Sequence, residues 1–285
     1  MRARAPASAA NLGPGFDALA VALDLWVEVE VKEHPHLEVV TSGHGSDLVA
    51  DASHLAVRVA SEVAGHARLS VRVHSDIPVG RGLGSSAALA VAAAAAAGAP
   101  DPMHWGYRVD GHPENAAASS LGGLVAATLA GGSLVARRLP LDAGLRAVLV
   151  VPDRPLPTAE ARAVLPAAVP HGDAAFNLGH LAVLIAGLGD RSQLVPEAFD
   201  DRLHQGARTV LFPESVPLLA GLRAAGALGA CWSGAGPSLL AVTEVDAAGT
   251  VAARARALLG ETGVAGRVLT VGFARRGCTT SPQVG

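Results

Sequence analysis

Apolar and polar residues alternate over Val27, Val29 and Val31 against Glu28, Glu30 and Lys32, and again over Leu69, Val71 and Val73 against Ser70, Arg72 and His74. A period of two turns one face of a strand into a core and leaves the other in water. Reading the chain this way gives strands at about 3–8, 25–32, 36–41, 68–74, 123–129, 133–139, 145–151, 227–232, 238–243 and 267–274. Helices are expected near 53–64, 86–97, 112–120, 158–165, 173–188, 214–224 and 246–259. The runs 123–129 and 133–139 flank Ala130-Gly131-Gly132, a hairpin signal. Residues 87–97 contain only Ala, Leu and Val, and alanine is the best helix former, so a helix should start near Ser85. The content is mixed α+β. Its clearest break follows Val151, where Pro152, Pro155 and Pro157 cluster with Asp153 and Arg154. This divides the chain into units 1–150 and 151–285.

Between the 68–74 strand and the alanine helix lies Pro78-Val79-Gly80-Arg81-Gly82-Leu83-Gly84-Ser85-Ser86-Ala87-Ala88. Three glycines at spacing two permit positive φ and close ligand approach, and the helix N-terminus behind them attracts an anion. Phosphate is the natural occupant, and the paired serines can reach a phosphate or its Mg²⁺. A glycine turn serving only packing is the plainer alternative. A Walker A loop would end in Gly-Lys-Ser/Thr, whereas this one ends Gly84-Ser85-Ser86. Lys32 is the only lysine in the chain and sits on an alternating strand, which excludes P-loop and protein-kinase lysines. A dinucleotide fingerprint would need a third glycine at position 85, which is serine, and an acidic residue roughly 20 positions on at the end of the next strand, where an alanine helix and then Pro100-Asp101-Pro102 follow instead.

Composition narrows the classes. With 285 residues the chain can build two cores. Half of it is apolar, but the longest uninterrupted apolar run is the stretch 87–97, short of the roughly 18 residues of a membrane span. The start, Met1 to Pro6, has charge without an apolar segment behind it, so no signal peptide is expected. Cys231 and Cys278 are too few for a disulfide framework and fit a reducing cytoplasm. A net charge near −3 without a basic run argues against nucleic acid.

Six segments, in order, carry a family resemblance. They are residues 6–17 (Pro-Ala-Ser-Ala-Ala-Asn-Leu-Gly-Pro-Gly-Phe-Asp), the loop 78–88, Gly111-His112-Pro113-Glu114-Asn115, residues 158–166, Leu203-His204-Gln205-Gly206-Ala207-Arg208, and Ser233-Gly234-Ala235-Gly236-Pro237-Ser238. Together they resemble the homoserine kinases of the GHMP kinase superfamily over essentially the whole length. The resemblance implies a two-domain GHMP kinase fold. Its N-terminal domain would be of the ribosomal protein S5 domain 2-like type and its C-terminal domain a ferredoxin-like α/β sandwich, with the active site between them. It implies ATP-dependent phosphorylation of L-homoserine in threonine biosynthesis, with ATP and Mg²⁺ as cofactors, a cytoplasmic location and a homodimeric assembly, without nucleic acid or membrane partners. A GHMP kinase for another small alcohol, or a catalytically impaired relative, stays open.

By the same resemblance Ser86 and Asp110 hold Mg²⁺, and Ser86, Asp110, Thr158 and Arg162 are catalytic. Asn11, Asp17, His112, Asn115, Arg162 and Arg208 bind substrate. Pro78, Val79, Gly80, Arg81, Gly82, Leu83, Gly84, Ser85, Ser86, Ala87, Ala88, Gly234 and Gly236 bind the nucleotide. Plainer readings stand beside these. Asp110 could cap the helix containing His112, Asp17 could stabilise a turn, His112 could be satisfied by backbone, and the two arginines could be solvated. No general base is evident beside the acceptor hydroxyl. The chain departs from the family pattern in placing Asp110 where glutamate is usual and Glu114 where aspartate is usual. It also shortens the segment before Asp110, so a shorter carboxylate would have to be carried closer by the backbone to reach bonds of roughly 2.1 Å.

Overall fold

The computed structural model describes residues 1–282. Its first layer is a seven-stranded sheet built on β1 (Arg2–Asn11) and the 19-residue β2 (Gly15–Glu33). Beyond β2 lie β4 (Leu69–Ser75) and β3 (Glu38–Gly43), and the hairpin β5 (Leu124–Ala130) and β6 (Ser133–Leu139) joins β2 further along. β2 pairs β4 through residues 27–33 and β5 through residues 19–21. Residues 19–23 are buried on both faces, so they lack alternation, and this first half of β2 was not legible as strand.

Helix α1 (Leu55–Ala64), α2 (Ser85–Ala96), α3 (Pro102–Asp110) and α4 (Pro113–Leu121) cover the sheet. Nine of the twelve residues of α2 are buried, and its alanine side chains let β1, β2, α1, α3 and α4 all approach it. α3 was missed because Pro100-Asp101-Pro102 reads as a breaker. In fact Asp101 is the N-cap, accepting from the His104 amide, and Pro102 is the first helical residue.

The second sheet contains β7 (Leu145–Pro152), β8 (Gly229–Trp232), β9 (Leu239–Glu244) and β10 (Gly266–Val271) in the order β10-β7-β9-β8, all antiparallel. That is the ferredoxin-like order, and α8 (Ser215–Ala224) and α9 (Ala248–Thr262) pack on it. Alternate residues of β7 serve two cores: Val148 and Val150 face these helices, while Ala147, Leu149 and Val151 join the larger core of the first layer. The division expected at residue 150 therefore falls inside β7, a strand wholly of the second sheet. Between β7 and β8 run α5 (Thr158–Ala163), α6 (His171–Gly189) and the short α7 (Gln205–Arg208). After β10 the chain returns to the first sheet, where β11 (Thr279–Ser281) pairs β1. With the bridge between Leu23 and Phe273 this ties the end of the chain to the first sheet, and the residues expected to be functional gather in one cleft.

Candidate active site

The loop 78–88 is shaped by backbone rather than by side chains. Gly80, Gly82 and Gly84 adopt φ of 66°, 70° and 64°, and α2 begins at Ser85. The carbonyls of Gly80, Arg81, Gly82 and Leu83 accept from Leu156 N (3.1 Å), Ser238 N (3.3 Å), Ser233 Oγ (2.7 Å) and Ser8 N (3.0 Å). Four successive carbonyls are thus turned into the protein. Among the described residues no protein acceptor takes the amide hydrogens of Gly80 to Ser86, so a row of free N–H groups stands at a helix N-terminus, the donor set an oxyanion needs. Glycine is obligatory at two of these positions. A Cβ on Gly82 would lie 2.3 Å from Ser233 O, and one on Gly84 2.0 Å from Ser8 Oγ. Arg81 does not reach for a ligand: its Nε donates to Pro152 O at 2.8 Å, and its Nη2 to Asp153 O, stapling the loop to the second layer.

Two further loops close on this cradle. Asn11, Leu12 and Asp17 have positive φ of 71°, 49° and 54°, sparsely populated for non-glycine residues and concentrated at this one bend. The strain is held by Asn11, whose Nδ2 donates to Gly234 O (3.0 Å) while its Oδ1 accepts from the Asp17 amide (3.0 Å). Asn11 therefore organises the bend instead of offering a free amide. Gly234 N donates back to Ala10 O at 3.0 Å.

The junction of α3 and α4 supplies the acidic wall. Asp110 is the last residue of α3 and His112 is the N-cap of α4, so Asp110 does not cap the helix that follows. Burial lifts the Asp110 carboxyl to about 6, with Glu114 adding to the rise and His112 opposing it. Burial pushes the His112 imidazolium down, but the Glu114 carboxylate outweighs it, and His112 sits above the ordinary histidine value. Glu114 is 2% exposed, its Oε1 lies 3.5 Å from His112 Nδ1, and its Oε2 has no hydrogen-bond partner. Ligand atoms of Asp17, His112 and Glu114 lie within 4.8 Å of one another. Asn115 accepts from Ser8 Oγ at 2.8 Å.

The basic wall faces it. Arg162, on α5, donates through Nη2 to Asp17 Oδ1 at 2.5 Å. Arg208, on α7, is only 1% exposed, not a solvated charge. Its Nε donates to Ala161 O (3.2 Å) and its Nη1 to Gly234 O (3.0 Å) and His204 Nδ1 (2.9 Å). Both guanidinium groups lie over the Phe16 ring, at 5.4 Å and 5.7 Å. Phe16, Glu114 and His204 were not singled out as site residues from sequence. Burial of a polar residue, the signal that marks Glu114 and His204, is invisible before folding.

The walls bound one cleft with about 610 Å³ of empty volume. Asn11, Asp17, Ser86, Asp110, His112, Asn115, Thr158, Arg162, Arg208, Gly234 and residues 80–85 all line it. Pro78, Val79, Ala87, Ala88 and Gly236 do not. Pro78, Ala87 and Ala88 are buried scaffold, Val79 lines a neighbouring cavity, and Gly236 packs against Trp232. No lysine borders the cleft, and Lys32 pairs with Glu30 on β2.

An anion cradle at a helix N-terminus, set between a split first layer and a ferredoxin-like second one, defines a phosphotransferase of the GHMP type. The models for "GHMP kinases N terminal domain" and "GHMP kinases C terminal" match residues 48–123 and 184–260. Homoserine kinases from Solibacter usitatus and Streptomyces coelicolor are 39% and 38% identical, over 85% and 99% of this chain and 84% and 94% of theirs. The crystal structure of homoserine kinase from Cytophaga hutchinsonii superposes with a TM-score of 0.84 at 26% identity, covering 98% of this chain and 96% of that one. The chain belongs to the GHMP kinases and, within them, to the homoserine kinase family. The mevalonate kinase of L. major, at 16% identity and a TM-score of 0.71, shares the fold.

Proposed function

We propose that the protein transfers the γ-phosphoryl group of ATP to the side-chain hydroxyl of L-homoserine, giving O-phospho-L-homoserine for threonine biosynthesis. The observation that carries the reading is the arrangement of charge in the cleft. A free-amide phosphate cradle lies at one side, with acidic Asp17 and Glu114 and basic Arg162 and Arg208 converging beside it. A zwitterionic amino acid fits that pattern: carboxylate to the guanidinium forks, ammonium to the carboxylates, hydroxyl toward the cradle. Phosphoryl transfer needs mainly in-line positioning and neutralisation of phosphate charge, and the amides, the arginines and Ser86 supply both. Thr158, at the first turn of α5, lines the same cleft and is assigned to the reacting end.

The residues present fit Mg²⁺. Asp110 is a carboxylate destabilised by burial and without a side-chain hydrogen bond among the described residues, and Ser86 offers a hydroxyl across the cleft. Mg²⁺ bound there would neutralise charge on the phosphate oxygens. The adenine base is assigned to the adjoining cavity, walled by Val27, Leu48, Val73, Val79 and Leu89, where His54 Nδ1 is buried without a partner. With the Asp17 and Glu114 carboxylates given to the substrate ammonium and that of Asp110 to Mg²⁺, the hydroxyl proton is assigned to a phosphate oxygen or to solvent. A coupled ADP-release assay with homoserine, mevalonate and galactose in parallel tests the reading. Turnover with homoserine alone is expected. Turnover with another alcohol, or with none, replaces it by one of the two alternatives.

The assembly is read as a homodimer and the location as cytoplasmic. α6 is long and apolar enough to cross a membrane by length and composition, yet only 22% of it is buried. Its outward stripe, Ala175, Leu178, Gly179, Ala182, Val183 and Ala186, carries no charge. In an antiparallel pair of such helices about a two-fold between positions 180 and 181, Leu178 meets Val183, Gly179 meets Ala182 and Ala175 meets Ala186. The opposed helix dipoles also favour that pairing. Leu178→Asp should convert a dimer to a monomer in sedimentation equilibrium, and a parent that sediments as a monomer removes the assignment.

A further inference from the structure

Arg208 is held by a device that the substrate reading does not use. Its guanidinium is fixed on three sides by Ala161 O, Gly234 O and His204 Nδ1, while Nη2 makes no hydrogen bond among the described residues and the residue borders the cleft. The two carbonyls are ordinary backbone acceptors. The third support is a fully buried side chain.

The state of that histidine follows from its partners. Gly13 O lies 2.8 Å from Nε2 and can only accept, and Arg208 Nη1 lies 2.9 Å from Nδ1 and can only donate. His204 must therefore be neutral, with its hydrogen on Nε2 and a bare Nδ1. Its ring stacks on Phe16 with centroids 5.1 Å apart. Its backbone is pinned from below: Asp201 accepts from the amides of Leu203, His204 and Gln205 at 3.0, 2.9 and 2.7 Å and from Asn177 Nδ2 at 2.7 Å. One imidazole thus joins the strained 11–17 bend to the guanidinium through its two ring nitrogens.

We propose that His204 is a positioning residue for the acceptor substrate, its bare Nδ1 aiming the Arg208 guanidinium into the cleft while its Nε2–H fixes that aim to the Gly13 carbonyl. The inference rests on the reading of Arg208 as a binder of the substrate carboxylate. Replacing a neutral acceptor by anything that cannot accept leaves a buried N–H of a cation unpaired and lets the fork turn, which weakens a bidentate contact without touching the nucleotide.

The test uses three variants in steady-state kinetics. His204→Phe keeps the ring and its stacking but loses both nitrogens. His204→Asn keeps an acceptor near the place of Nδ1, and His204→Gln keeps a donor near the place of Nε2. The Phe variant is expected to raise the KM for homoserine at least about tenfold, with the KM for ATP within twofold, since a lost charge-assisted hydrogen bond is worth roughly a factor of ten or more. Asn should recover most of that loss and Gln little. The Phe substitution should add nothing in an Arg208→Leu background. A Phe variant with parental KM for homoserine, equal recovery by Asn and Gln, or parallel rises in both KM values would overturn the proposal. Asn and Gln preserve the fold test if Phe unfolds the protein. If Arg208→Leu leaves the KM for homoserine unchanged, the substrate reading itself fails. If Arg208→Leu raises that KM and no His204 variant does, only the positioning role fails.

Discussion

Asp110→Asn should make the protein less active and more stable at once. The substitution removes the charge of Asp110 while keeping its shape. Burial raises this carboxyl to about 6 in the folded protein, against roughly 3.9 in an unfolded chain. The folded state therefore binds the proton more tightly, and stability falls as pH rises between those values. Above pH 6 the folded protein carries an ionised carboxylate that the unfolded chain holds more cheaply in water. At about 1.36 kcal/mol per pH unit the difference is roughly 3 kcal/mol. It shrinks to about a third of that at pH 4.5 and vanishes below both pKa values.

A neutral amide escapes this cost. In a chelator at pH 8, Asp110→Asn is expected to melt several degrees above the parent, on the order of 2 °C per kcal/mol for a chain of this size. At pH 4.5 most of the gain should be gone. Turnover should move the other way, falling on the order of a hundredfold or more because an amide binds a hard cation poorly. Asp110→Glu should retain measurable activity. Melting curves at the two pH values and an ADP-release assay across Mg²⁺ concentrations measure both effects. An Asn variant that turns over like the parent, or that melts below it at pH 8 in chelator, would refute the reasoning.

Ser86→Ala should lower kcat far more than it raises the KM for ATP, because the hydroxyl's contribution grows as charge redistributes in the transition state; equal effects on both would indicate simple binding. Arg208→Leu should raise the KM for homoserine ten- to a hundredfold, about 1.5–3 kcal/mol, leaving the KM for ATP nearly intact, and parental kinetics would remove Arg208 from the pocket. Gly82→Ala should abolish ATP binding in calorimetry, since its Cβ would stand 2.3 Å from Ser233 O at a φ of 70°, and parental affinity would show that the loop can shift.

The shape of the glycine loop 78–88 was legible before folding because everything it needs is local. Glycine spacing, a helix former behind it and two serines at the junction act within about ten residues, and the backbone then adopts the left-handed φ that only glycine takes without strain. Strands β4, β5, β6 and β7 and helices α1, α2, α8 and α9 declared themselves by period and propensity for the same reason. The first half of β2 did not, because burial on both faces erases alternation. α3 did not, because a capping aspartate before proline looks like a break until the helix is there to be capped.

The pocket is a different case. The resemblance allowed Asn11, Asp17, His112, Asn115, Arg162 and Arg208 to be named as substrate binders, but not which partners each would hold. Folding spends both ends of the Asn11 amide on Gly234 and Asp17, and Arg81 on the second layer. It leaves one carboxylate oxygen of Glu114 unpartnered and makes His204 the support of Arg208. These outcomes join residues up to 223 positions apart. No short-range preference of the chain encodes such pairings. They follow from how two layers close on one another, and closure alone determines which polar groups lose water and must find a partner inside.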